Sequence, residues 1–184
     1  MIILDSEKEY EIDEKISQEI LLKIGLRCPE NSILEIANKL GVDVFLVDLE
    51  EKTGNSNIEG MIDYSKDQHN PKIFIDANIS IKRRNFTLAH ELGHLLLHEP
   101  KIHGRFRMDS IDLYNSLEDK QEELEANYFA ASLLVPKEKL LKFMNSPDLF
   151  SNTDKIAEYF AVSEAVILTR IRWLKRNPKR NVEM

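Results

Sequence analysis

The sequence predicts an α+β fold, with helices flanking one small sheet. Apolar residues recur at helical spacing over residues 10–24 and 33–40, and again from residue 80 onward. Three short runs between them, 42–47, 58–64 and 72–76, are rich in β-branched and aromatic residues and read as strands. The segment Asp67-Gln-His-Asn-Pro71 supplies turn chemistry between the last two runs, which makes them a hairpin. His69 falls in that turn and reads as an exposed turn residue.

Each element has its own signal. Ile12, Ile16, Ile20 and Ile24 stand at steps of four, the stripe of an amphipathic helix. Ser32 and Glu35 form a capping box ahead of Ile33, Ile36, Ala37 and Leu40, and Gly41 is the stop. Residues 51–57 read as a polar loop. The segment from Ser80 to about His98 is helical, and residues 99–116, with Pro100 and Gly104, read as a loop. A loop of that length in a compact domain is usually functional or mobile. Ser116 with Asp119 opens another helix, which ends before Pro136; short helices at 137–144, 153–161 and 163–176 follow. Ser146-Pro-Asp148 marks a boundary between residues 1–147 and a helical extension over 148–184.

Composition excludes several classes. The chain has 184 residues, 42% hydrophobic and 31% charged, which is ordinary globular composition. A net charge of −7 argues against a global attraction to nucleic acid or anionic lipid. The single cysteine, Cys28, precludes an internal disulfide and lies far from every histidine in sequence. The N-terminus turns acidic after four residues, unlike a signal peptide, and no stretch is apolar enough for a membrane helix. A cytoplasmic protein with no membrane partner is expected.

The chemistry concentrates at His90-Glu-Leu-Gly-His94. Four steps along a helix return to the same face, so His90 and His94 can converge on one Zn²⁺. Glu91 is the next residue along and projects beside the metal, where a general base holds a water. His90, Glu91 and His94, within the mostly apolar helical segment 86–98, are costly to bury without such compensation. Gly93 is a poor helix residue whose small size admits another backbone.

A catalytic zinc needs a third protein ligand. Metzincins place a glycine and a histidine three and six residues after the second histidine; here Leu97 and Pro100 stand there. The other common arrangement takes a glutamate from a later helix. The helix after residue 116 offers Glu118, Asp119, Glu122, Glu123 and Glu125. Glu123 shares a stripe with Asn127, Ala130 and Leu134, which includes a polar residue able to orient a ligand. Glu122 shares its stripe with Ala126, Phe129 and Leu133 and ranks second; Glu125 reads as solvated. His98 continues the His94 face one turn further, either near the site or as a helix end, and His103 stays unassigned.

Two segments together resemble the ImmA/IrrE family of metallopeptidases. They are Arg84-Asn-Phe-Thr-Leu-Ala-His-Glu-Leu-Gly-His-Leu-Leu-Leu-His98 and Glu123-Leu-Glu-Ala-Asn-Tyr-Phe-Ala-Ala-Ser-Leu-Leu-Val-Pro136. The order of elements around them also fits, from the Leu-Gly-Val strand after the second helix to Ile156-Ala-Glu-Tyr-Phe-Ala-Val-Ser163. The resemblance implies a zincin-like core in residues 1–147, with a short twisted antiparallel or mixed sheet beside the metal helix. It implies Glu123 as third ligand, in agreement with the face argument. It also implies a protein substrate: a helix-turn-helix repressor, cleaved to derepress mobile-element or stress genes. An exposed edge strand, with 72–76 the candidate, could pair with the substrate.

Residues 153–176 also resemble a helix-turn-helix, followed by a basic end from Arg170 to Arg180. Contact with DNA or with the repressor is one reading; a packed helical hairpin with a solvated basic tail is the favoured one, because helix-turn-helix geometry also occurs as plain scaffold. The rival to a peptidase is a regulatory binding module that keeps the zinc core as scaffold. An intact Glu91 favours the peptidase, since a scaffold has no use for the base.

Overall fold

A computed structural model of the chain describes residues 6–63, 70–98, 106–108, 117–145 and 152–176. Two helices lead, α1 (Ser6–Ile24) and α2 (Ile33–Lys39). The expected capping box starts α2: Ser32 Oγ accepts from Glu35 N, and Ser32 N donates to Glu35 Oε2 at 2.7 Å. Gly41 at φ +77° turns the chain out of the helix, where only glycine sits without strain.

The sheet follows. β1 (Asp43–Val47) leads into α3 (Leu49–Thr53), then β2 (Gly60–Asp63) and β3 (Lys72–Asp76). The short α3 lies where a polar loop was expected. Asp48 caps it by accepting from Glu51 N at 2.9 Å, and buried Leu49 anchors it. β2 and β3 pair antiparallel, as the hairpin predicts, with Gly60 opposite Ile75. The turn residues 64–69, His69 included, lie outside the described residues.

Two sequence expectations are corrected here. β4 (Phe106–Met108) forms inside the expected 99–116 loop and pairs antiparallel with β2. The order is therefore β1-β3-β2-β4, with β1 parallel to β3, a mixed four-stranded sheet. That makes 72–76 an interior strand, hydrogen-bonded on both sides, so it cannot be the exposed edge. Its alternation explains the position: Ile73 and Ile75 are buried, while Lys72, Phe74 and Asp76 are half-buried.

α4 (Ile81–Leu97) leaves the sheet directly, capped by Ser80 Oγ on Arg83 N. Arg84 fixes its entry by donating to the carbonyls of Ile79 at 3.0 Å and Ala77 at 2.5 Å. α4 is buried on every side from Thr87 to His94. It packs against α2, β2, β3 and, most extensively, α5 (Leu117–Leu134). Gly93 permits that last contact. A Cβ there would lie 3.1 Å from Ala126 Cα and 3.2 Å from Phe129 Cδ1, so the close approach expected of Gly93 is present.

α6 (Lys137–Met144), α7 (Thr153–Tyr159) and α8 (Glu164–Arg176) complete the described chain. One continuous core runs from Ile36 and Ile73 through Leu92 and Phe129 to Phe160 and Ile167. Fully burying one such side chain contributes roughly 1.5–3 kcal/mol. Cys28 belongs to this core, and burial pushes its thiol up to about 12, which leaves it protonated and unreactive.

The C-terminal helices are held by polar contacts as well. Asn85 Nδ2 donates to the carbonyl of Ala161, which takes φ +51° at the turn between α7 and α8. Arg170 is buried, donates to the carbonyl of Val135 and pairs with Glu14 of α1. Burial pushes its guanidinium down to about 9, still above neutral, so Arg170 enters the core charged and Glu14 compensates it. The first residue of the expected basic end therefore faces inward. Among the described residues, no helix is long and apolar enough to cross a membrane.

Candidate metal centre

The centre lies between α4 and α5. Helical spacing puts His90 and His94 on the α4 face that meets α5, and their Nε2 atoms stand 3.0 Å apart. Glu123 reaches across from α5. Its Oε2 is 3.3 Å from His90 Nε2, and its Oε1 is 3.0 Å from His94 Nε2. The three residues form the cluster of potential metal donors found among the described residues, with their donor atoms within 4.8 Å of one another. His94 is completely buried, while the Glu123 side chain keeps 16% of its exposure. The cluster is thus closed behind His94 and open beside Glu123.

The electrostatics favour a cation. Burial pushes the Glu123 carboxyl up, but the hydrogen bonds and charges of His90 and His94 outweigh it and hold the group well below the usual carboxylate range. Glu123 is therefore a permanent anion facing two imidazoles. Two ring nitrogens and one carboxylate are the donor set of a catalytic zinc centre, and these residues fit that ion.

A second line of residues supports His94 from behind. His98 ends α4, and its Nδ1 lies 3.1 Å from His94 Nδ1. Its Nε2 lies 2.9 Å from Glu125 Oε2, and Gln121 Nε2 donates to the other oxygen of Glu125. The protons can be assigned along this line. If His94 turns its Nε2 lone pair toward a metal, it carries its proton on Nδ1 and donates it to His98 Nδ1. His98 then carries its own proton on Nε2 and donates it to Glu125. One tautomer of each ring satisfies the chain, which orients His94. The expectation that Glu125 is solvated is corrected: its side chain is 29% exposed and engaged by His98. The signal for His98 was in the sequence, four residues after His94. The signal for Glu125 was not, because its partner comes from another helix.

Glu91, the residue after His90, is fully buried and lies against Gly60 at the start of β2. Gly60 of β2 makes that possible. A Cβ at Gly60 would collide with Glu91 Oε1 and lie 2.7 Å from Thr87 Cγ2. Just before it, Glu59 accepts from Arg83 Nε at 2.5 Å and from Thr87 Oγ1 at 3.4 Å, which pins the start of β2 to α4. Glu122, the second-ranked ligand, is half-buried outside the donor cluster. The side chains of Glu118 and Asp119, and all of His103, lie outside the described residues.

A buried helix carrying two histidines and a glutamate, faced by a carboxylate and backed by a mixed sheet, defines a metallopeptidase-type protein with a zincin-like α+β core. The family described as Peptidase M78, IrrE N-terminal-like domain, matches residues 37–172, and the chain belongs to it. This agrees with the resemblance read from the two helical segments. No curated protein matches the chain.

Proposed function

We propose that the chain is a zinc-dependent endopeptidase in which His90, His94 and Glu123 hold the metal and Glu91 is the general base. One observation carries the reading: two imidazoles and an ionised carboxylate converge on a single point, with Glu91 on the adjacent turn position of the same helix. When bound, zinc supplies Lewis acidity toward a carbonyl oxygen and acidifies a water. With the metal in place, Glu91 would hold a water by hydrogen bonding, take up its proton and return it to the leaving amine. Glu125 and His98 keep His94 in its ligating tautomer throughout.

Membership of a peptidase family supports a protein substrate. The ImmA/IrrE resemblance supports a helix-turn-helix repressor as that substrate, derepression of its genes as the outcome and the cytoplasm as the compartment. The test pairs the wild type with Glu91→Gln on a repressor encoded beside this chain. Glu91→Gln is expected to keep its zinc and to lose cleavage by about 10²–10⁴-fold. A Glu91→Gln protein that still cuts, or still derepresses fully in cells, contradicts the assignment of the base and favours a binding module.

A further inference from the structure

β1 is an edge of the sheet, with β3 its strand neighbour. Asp43 N donates to the carbonyl of Pro71, and the carbonyl of Val47 accepts from Ala77 N. Such bonds alternate along a strand, so Asp43, Phe45 and Val47 turn their backbone groups toward β3. Val44 and Leu46 turn theirs outward. Among the described residues, neither their N–H groups nor their carbonyls find a hydrogen-bond partner.

This edge is apolar on both faces. Phe45 is 41% exposed and Leu46 57% exposed, and successive side chains of a strand point to opposite faces. Phe45 stacks on Phe74 of β3 at 5.3 Å between ring centres, and the Lys72 ammonium lies 5.8 Å from the centre of the Phe45 ring. The ring is thus held in position. Edge strands that stay single are usually guarded by a lysine, a proline or a bulge. β1 reads Asp43-Val-Phe-Leu-Val47 in unbroken register with β3 and has none of these.

The pattern fits a second copy of the same strand. Val44 of one copy set opposite Leu46 of the other, and the reverse, closes four hydrogen bonds and uses every outward group. Phe45 then faces Phe45 on a twofold axis, in a pair without backbone bonds, where side chains stand closest. Phe74 continues that aromatic row on each side. Leu46 falls opposite Val44 on the other face and is covered. The two Asp43 carboxylates stand four residue steps apart, about 13 Å, beyond a Debye length at physiological salt.

The neighbouring symmetric registers are worse. Centring on Val44 sets Asp43 against Phe45 and takes a carboxylate out of water without a partner. Centring on Leu46 requires bonds from Asp48, where the chain already turns into α3.

We propose that β1 is a homodimerisation edge, through which two copies pair antiparallel with Phe45 on the twofold and form one eight-stranded sheet. Each copy uses its β1 once, so assembly closes at two. The axis runs perpendicular to the sheet, which leaves both copies of α4 on the same face of it. This inference stands apart from the peptidase reading.

The test is sedimentation of the full chain over a range of concentrations. A contact of this size lies at the small end for specific interfaces, so a dimer with a dissociation constant on the order of micromolar is expected. Phe45→Lys and Leu46→Lys, both at exposed positions, are each expected to weaken it at least about tenfold. If one variant fails to fold, the other still decides. The register is read by oxidation: Phe45→Cys is expected to give a disulfide-linked dimer, and Asp43→Cys none, because its two copies are too far apart. A chain that stays monomeric at every concentration overturns the proposal, and so does a dimer that survives both lysine variants or one that crosslinks through Asp43→Cys but not Phe45→Cys. Hydrogen exchange at Val44 and Leu46 gives a further reading. Protection that grows with concentration supports the dimer, whereas equal protection at all concentrations means that another segment of the same chain covers the edge and overturns it.

Discussion

Two buried polar clusters hold this molecule, and they are built on opposite terms. Around Arg170, one cation meets one carboxylate, Glu14, and one carbonyl, that of Val135. Charge and hydrogen bonding are complete within the chain. Around His94, two imidazole nitrogens face each other 3.0 Å apart across an ionised Glu123. Two lone pairs at that distance call for a proton or a metal ion between them. The first cluster is a clasp that joins α8 to α1 and the end of α5. The second is a prepared seat. Burial of charge alone does not separate structure from function; closure of the polar account within the chain does.

The contrast breaks most sharply at Arg170. Arg170→Ala leaves Glu14 without its cation and is expected to destabilise the fold by about 3–5 kcal/mol. Removing both charges together, Arg170→Met with Glu14→Leu, is expected to recover most of that loss. Denaturant unfolding measures both. If the single variant unfolds like wild type, the clasp contributes nothing and the comparison fails.

Gly60→Ala probes the boundary between the sheet and the prepared seat. The added methyl collides with Glu91, and either β2 or the glutamate must shift. A loss of roughly 1–3 kcal/mol in stability is expected from overpacking, with cleavage reduced and zinc retained. Wild-type activity in this variant would show that Glu91 is not held where its base role requires.

His98→Ala tests the support behind His94. Zinc affinity is expected to fall by about 10–100-fold. Glu125→Gln, which keeps an acceptor for His98, is expected to fall less, within about tenfold. Competition with a fluorescent chelator reads both. Unchanged affinity in His98→Ala would reduce the His94–His98–Glu125 line to a helix end.

Most of the fold and the grouping of His90, His94 and Glu123 were legible in the sequence, for local reasons. The capping box at Ser32, the helix beginning after Ser80 and the His90–His94 pair all depend on residues within four positions of each other. Glu123 was reached because helix faces can be counted, and its motif fitted. What stayed hidden depends on distant partners. Glu125 looked solvated because nothing near it in sequence is its partner; His98 comes from 27 positions earlier. Arg170 looked like part of a basic face because Glu14 lies 156 positions away. The interior place of β3 and the presence of β4 depend on strand order, which pairing across loops decides. Gly60 reads as an ordinary strand glycine until Glu91 is placed against it.

The most direct test of the central claim is the zinc content of the purified chain after dialysis into chelator-treated buffer. Wild type and Glu91→Gln are expected to hold about one zinc per chain, and His94→Ala close to none, with all three folded. A wild type without zinc, or a His94→Ala that holds as much as wild type, would contradict the metal centre between α4 and α5.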